Sequence, residues 1–237
     1  MSGTDPSRVK CSNGQIGVPT PSIVALFRAL DLSVIEPVLR EAYSQRRRRP
    51  PHPPISMLRA LIFQKIRQIP SWRKLVCILR HETTWLRVLG LQRAPCHDSF
   101  SEFTRRVGPE RLYRVFRILQ AQLRQNYSGL GECIAVDSTI VRGYSNPNRR
   151  KRSLSDPDAR WGVTGQKANK PVHLFGYKLQ VSCDGRYGLP LDYLVVPANR
   201  SDSRLYYPSL VRTKASGNRV GVVIADAGYD SKRNILL

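Results

Sequence analysis

The 237-residue chain carries 39 Lys and Arg against 17 Asp and Glu, a formal net charge of +22. A surplus that large repels itself in a compact fold unless a polyanion neutralises part of it, so nucleic acid is the first partner to consider and an anionic membrane surface the second. Charge alone does not give an enzyme, since a basic ribosome-like or chromatin-like binder has the same balance.

Residues 1–20 are polar with Gly and Pro and read as a flexible tail. From Pro21, the apolar positions Ile23, Leu26, Phe27 and Leu30 fall on one helix face, and a second helix is expected over Val34 to about Gln45. Arg46, Arg47, Arg48 and Arg49 then run into a Pro-rich segment, Pro50 to Pro54, that reads as stiff and non-helical. The four arginines are either a solvated linker or a contact to the DNA backbone.

Three helices are expected next. Their stripes are Leu58/Leu61/Ile62/Ile66/Ile69, then Trp72/Leu75/Val76/Leu79, then Trp85/Val88/Leu89 stopped at Gly90. Ser99-Phe100-Ser101-Glu102 has the form of a capping box. Phe103 and Val107 face inward from that helix, Gly108 ends it, and Pro109 opens another whose face is Leu112, Val115, Phe116, Leu119 and Leu123. Arg105, Arg106, Arg111, Arg114, Arg117 and Arg124 lie between these apolar positions.

The texture changes near Ser128. Cys133 to Val136 is a short apolar run ending in Asp137, which reads as a buried strand. A long loop follows with Asp156 and Asp158 as turn-formers and the basic run Arg149, Arg150, Lys151 and Arg152, a grip on DNA or a solvated loop. From Pro171 the set Phe175, Tyr177, Leu179 and Val181 alternates with Gly176, Lys178, Gln180 and Ser182, so Lys178 is expected opposite the apolar face, touching phosphate or solvent. Asp184-Gly185 turns the chain into a returning strand from Leu189 to Val196. A helix capped by Asp202 or Ser203 runs to about Lys214, and Val220 to Ala225 is a second apolar strand ending in a carboxylate, Asp226.

No stretch approaches the ~20 apolar residues of a membrane span, and the first residues have no apolar signal core. Five scattered cysteines without a CxxC pair read as free thiols of a reducing compartment. The chain therefore divides into a tail (1–20), a helical, arginine-rich front (21–127) and an α/β back (128–237). Both the front and the back are basic, which fits one nucleic-acid track crossing both.

The chemistry sits with Asp137 and Asp226. If their strands lie side by side, the carboxylates converge and repel unless a cation stands between them. Mg²⁺ accepts one or two carboxylates with waters and phosphate oxygens. Aspartates that only cap turns are the plain alternative.

Four segments carry a resemblance: Ile134 to Thr139, Gly176 to Leu179, Pro197 to Ser203 and Ala225 to Ser231, the last an apolar strand followed by Asp-x-Gly-Tyr-Asp. Together with the helical front they make the chain similar to bacterial insertion-sequence transposases of the DDE type. The resemblance implies an all-helical DNA-binding domain followed by an RNase H-like mixed sheet with helices, an α+β or α/β arrangement. It implies Asp137 and Asp226 as the first two catalytic carboxylates and ligands of Mg²⁺ or Mn²⁺. The implied partner is double-stranded DNA at the element's ends and at the target, with a homo-oligomer joining the ends in the cytoplasm, at the nucleoid. The third carboxylate of that family is a Glu on a downstream helix. All six glutamates here lie at or before Glu132, and Asp230 is too near Asp226 to serve. The expectation is thus a fragment with an incomplete sheet that needs the Glu supplied. The alternative is a DNA-binding remnant or regulator, and an RNA-binding role ranks last.

Overall fold

A computed structural model describes residues 23–25, 27, 31–43, 52–143, 156–167, 170–231 and 234. The tail, the arginine run at 46–49 and the basic run at 149–152 lie outside these residues. The chain divides into two compact units, between Leu119 and Gln120.

The first unit is helical. A 3₁₀ turn (Ser33–Ile35) leads into α1 (Glu36–Arg40), then come α2 (Pro54–Ile66), α3 (Trp72–His81), α4 (Thr83–Leu89) and the first part of α5 (His97–Asn126). Pro54 opens α2 instead of belonging to a non-helical segment, because a first-turn proline lacks only an N–H that would have no helical partner. The expected stripe holds in part: Leu58 and Ile69 are buried and Leu61 and Ile62 pack against the core, but Ile66 is exposed, and Met57, Ala60 and Phe63 are buried as well. Phe63 packs on Trp85 at 4.4 Å between ring centroids, and both rings are fully buried in this unit's core.

Ser71 caps α3 by accepting from the Lys74 amide. The expected capping box at Ser99 does not form. The helix starts two residues earlier, at His97, and Glu102 is engaged by Arg106 one turn on. Gly108, at φ +67° and ψ 170°, breaks α5 before Pro109. Cys77 on α3 is disulfide-bonded, contrary to the free-thiol reading.

The second unit is a five-stranded mixed sheet with a helix: β1 (Cys133–Arg142), β2 (Arg160–Lys167), β3 (Lys170–Asp184), β4 (Pro190–Pro197), α6 (Asp202–Ala215) and β5 (Val222–Ala225). β1 pairs antiparallel with β3, β3 pairs antiparallel with both β2 and β4, and β5 returns parallel to β1 after the α6 crossover. This is the RNase H-like arrangement that the resemblance implied. β2 fell inside the expected long loop. β1 outruns its apolar segment by five residues because Ser138 to Arg142 pair with Gln180 to Gly176 of β3. Gly176 is required there, since a Cβ would stand 2.2 Å from the Val141 carbonyl oxygen.

The alternation of β3 was read correctly in period and wrongly in face. Lys178, Gln180, Ser182 and Asp184 are buried, whereas of the apolar set Phe175 alone is buried and Tyr177, Leu179 and Val181 are half-buried. Hydrogen bonds make this possible. Gln180 Nε2 donates to the Leu205 carbonyl at 3.3 Å, and the Ser182 and Ser209 hydroxyls lie 3.0 Å apart. On β4, buried Asp192 accepts from the Ser216 hydroxyl at 3.3 Å. A buried polar group with a partner costs little. β5 is likewise no buried strand, because Val222 and Ile224 are exposed at 56% and 55%.

Candidate active site

The parallel ladder between β1 and β5 ends at the pair Val136–Ala225. The next residue on each strand is Asp137 or Asp226, so the two carboxylates leave neighbouring strands, spaced about 4.8 Å apart, at the same level. They line one cleft of about 180 Å³ with Ser138, Thr139, Ile140, Val163, Thr164, Gly165, Lys178, Asp202 and Tyr229.

Each aspartate is held by its own chain. The Ser138 amide donates to Asp137 Oδ1 at 2.7 Å. The Gly228 amide donates to Asp226 Oδ1 at 2.9 Å, which caps the 3₁₀ turn Ala227–Tyr229. That turn is anchored by Tyr229, whose ring is buried in this unit's core and packs against Tyr206.

Asp202, in the first turn of α6, is the third carboxylate at the cleft. Its Oδ1 accepts from the Ser138 hydroxyl at 2.6 Å and from Lys178 Nζ at 2.9 Å. Sequence reasoning gave Asp202 only a capping role. No local signal pointed to more, since only the fold brings Asp202 to Lys178. Lys178 was expected to face phosphate or solvent, but its side chain is 9% exposed and paired with Asp202. The cleft wall from β2, Val163 to Gly165, gave no sequence signal.

Tyr229 reports the local field. Burial, together with Asp202, Asp137 and Asp226, outweighs the opposing influence of Ser138 and pushes its phenol up to about 12. Its hydroxyl is buried without a hydrogen bond of ordinary geometry.

The arrangement suits a hard divalent cation. Asp202 has its own cation, but among the described residues Asp137 and Asp226 have none. Two carboxylates open to solvent on one side are the share of ligands that Mg²⁺ takes from a protein when waters and phosphate oxygens complete it. Among the described residues no group of three His, Cys, Asp or Glu converges as a closed metal cage.

Residues 128–236 match the family model described as Transposase DDE domain, and residues 17–106 match the model described as Transposase domain (DUF772). No curated protein matches the chain. Among solved structures, the Mos1 strand transfer complex is similar at 15% identity over 82% of this chain and 58% of that one, with a TM-score of 0.26. A pre-cleavage Mos1 transpososome is similar at 14% identity over 82% of this chain and 59% of that one, with a TM-score of 0.25. The chain thus spans less than two thirds of those relatives. With a transposase model on each unit, and the aspartate pair inside the region that the DDE model covers, the chain belongs to the DDE-type transposases.

Proposed function

We propose that the second unit cleaves and joins DNA phosphodiesters, with Asp137 and Asp226 as the ligands of Mg²⁺ or Mn²⁺. The observation that carries this is the level placement of the two aspartates on adjacent parallel strands, both lining one cleft. A divalent cation bound there would activate the attacking oxygen and steady the leaving one. The backbone donors at Ser138 and Gly228 aim the carboxylates in advance, so little reorganisation is left for substrate binding. The substrate is double-stranded DNA at the ends of an insertion sequence, and the freed 3′-hydroxyl then joins target DNA.

The DNA is gripped by the arginine-rich helical part, 21–127, and by the runs Arg46 to Arg49 and Arg149 to Arg152, and the part 128–237 is catalytic. Lys178 is engaged by Asp202 and serves the site from inside. Among the described residues no helix is long and apolar enough to cross a membrane, and the proposed place of action is the cytoplasm, on the nucleoid. Joining two ends calls for more than one copy on the DNA.

A second reading is DNA binding without cleavage, by a non-catalytic regulator of transposition. The observation that favours it is the Lys178–Asp202 ion pair, which neutralises one of the three carboxylates that line the cleft. One experiment separates the two: supercoiled DNA carrying the element ends is incubated with the protein and Mg²⁺, with and without a downstream segment supplying a Glu. The first reading expects nicking that disappears with Asp137→Ala. Equal nicking by that variant sinks it, and tight binding with no nicking in either condition selects the second reading.

A further inference from the structure

We propose that Lys178, Asp202 and Ser138 form a positioning relay that fixes the metal-binding orientation of Asp137. This rests on the proposed metal site and adds three residues to it. The relay is continuous. Lys178 Nζ donates to Asp202 Oδ1 at 2.9 Å, the Ser138 hydroxyl donates to the same oxygen at 2.6 Å, and the Ser138 amide donates to Asp137 Oδ1 at 2.7 Å. It starts from a cation whose side chain is 9% exposed and ends on a solvent-exposed carboxylate.

Three elements meet in it. Lys178 comes from β3, Asp202 from the first turn of α6 and Ser138 from β1, and Ser138 lies within two cross-strand pairs of Lys178 in the β1–β3 register. A strand alone does not dictate the side-chain rotamer of an exposed aspartate. Tethering the next residue's hydroxyl to a fixed carboxylate holds its amide in place, and that amide in turn holds Asp137.

Lys178 has a second effect. Three carboxylates line the same cleft, and without a cation Asp202 would add to the repulsion between the other two. The ion pair removes Asp202 from that repulsion. Asp202 is therefore a positioning residue that acts through Ser138, not a ligand.

The test uses Mn²⁺ alone as the probe, with free Mn²⁺ read by electron paramagnetic resonance on the full chain. Ser138→Ala removes a neutral hydroxyl and leaves every charge in place. Loss of groups that orient metal ligands typically weakens affinity about 10- to 100-fold, and Ser138→Ala should fall at the lower end. Ser138→Thr, which keeps the hydroxyl, should restore binding. Lys178→Met/Asp202→Leu removes both charges, leaves no lone buried ion and takes away the oxygen that accepts from the Ser138 hydroxyl; it should weaken Mn²⁺ to the same degree as Ser138→Ala, and the triple variant should be no worse.

Mn²⁺ affinity within about twofold of wild type in Ser138→Ala overturns the relay. So does a double variant that loses Mn²⁺ while Ser138→Ala keeps it, which would make Asp202 a ligand. A lower melting temperature in Ser138→Ala with unchanged Mn²⁺ affinity overturns it as well, in favour of a purely structural role. Failure of the underlying metal-site reading looks different: Asp226→Ala would then bind Mn²⁺ as tightly as wild type, whatever the Ser138 variants do.

Discussion

Asp137 and Asp226 stand side by side, one residue beyond the last ladder pair of β1 and β5. No covalent neighbourhood links them, since 89 positions separate them in the chain (226 − 137). The α6 crossover brings them together, because a parallel return after an intervening helix places β5 next to β1.

Asp226→Asn separates metal binding from folding. The amide oxygen can still accept from the Gly228 amide, so the 3₁₀ turn keeps its cap. Mn²⁺ at about 100 times its dissociation constant should stabilise the wild-type protein by roughly 2.7 kcal/mol. The melting temperature of Asp226→Asn without metal should match wild type and should not rise when Mn²⁺ is added. Calorimetry with and without Mn²⁺ checks this, and a full Mn²⁺-induced rise in the variant would remove Asp226 from the metal site.

Asp184 predicts the acid limb of stability. Burial alone would raise its carboxyl, but the amides of Gly131, Tyr187 and Arg186 donate to it at 2.7, 2.7 and 2.9 Å and bring its pKa below the ordinary value. A carboxylate with a depressed folded pKa stabilises the fold above its unfolded value of about 3.9 and loses that contribution as pH falls through the folded value. Asp184→Asn should cost about 2 kcal/mol near neutral pH and should flatten the loss of stability below about pH 4. Urea unfolding across that range measures both. An unchanged slope would mean that other carboxylates set the acid limb.

How much of this was legible follows from what each residue signals. Asp137 and Asp226 stood out because each directly follows an apolar run, and a carboxylate there is a local feature. The partner of Lys178 was not legible. Asp202 is 24 positions away, and only the fold brings α6 over β3. The face of β3 was misread because apolar was equated with inward, whereas α6 supplies hydrogen-bond partners that favour the polar set. β2 was missed because Gly162 and Gly165 interrupt its pattern and Trp161 and Val163 are exposed, so neither side alternates cleanly. The two basic runs lie outside the described residues, so their role rests on charge alone.

Charge gives the next prediction. If the basic runs and the helical arginines contact DNA phosphates, binding releases condensed counterions and must weaken with salt. Six to ten such contacts would lower affinity roughly 10³- to 10⁵-fold between about 50 and 200 mM salt. Fluorescence anisotropy with duplex DNA measures the slope. Replacing Arg149, Arg150, Lys151 and Arg152 together should make it shallower by about four contacts' worth. A flat dependence for the wild-type protein would remove electrostatic DNA binding from both functional readings.

The buried polar layer under α6 gives the last prediction. Ser182 on β3 and Ser209 on α6 face each other at 3.0 Å, and both are nearly inaccessible to solvent. Removing one hydroxyl leaves the other buried without its partner, at a cost of about 1–3 kcal/mol. Removing both deletes the polar demand together with the bond. Ser182→Ala and Ser209→Ala should therefore each destabilise the fold, and the double variant should lose less than the sum of the two, by about 1 kcal/mol or more. Urea unfolding of the four proteins in the cycle supplies the coupling energy. Strict additivity would mean that the hydroxyls only share space and that ordinary packing holds the polar face of β3 inward.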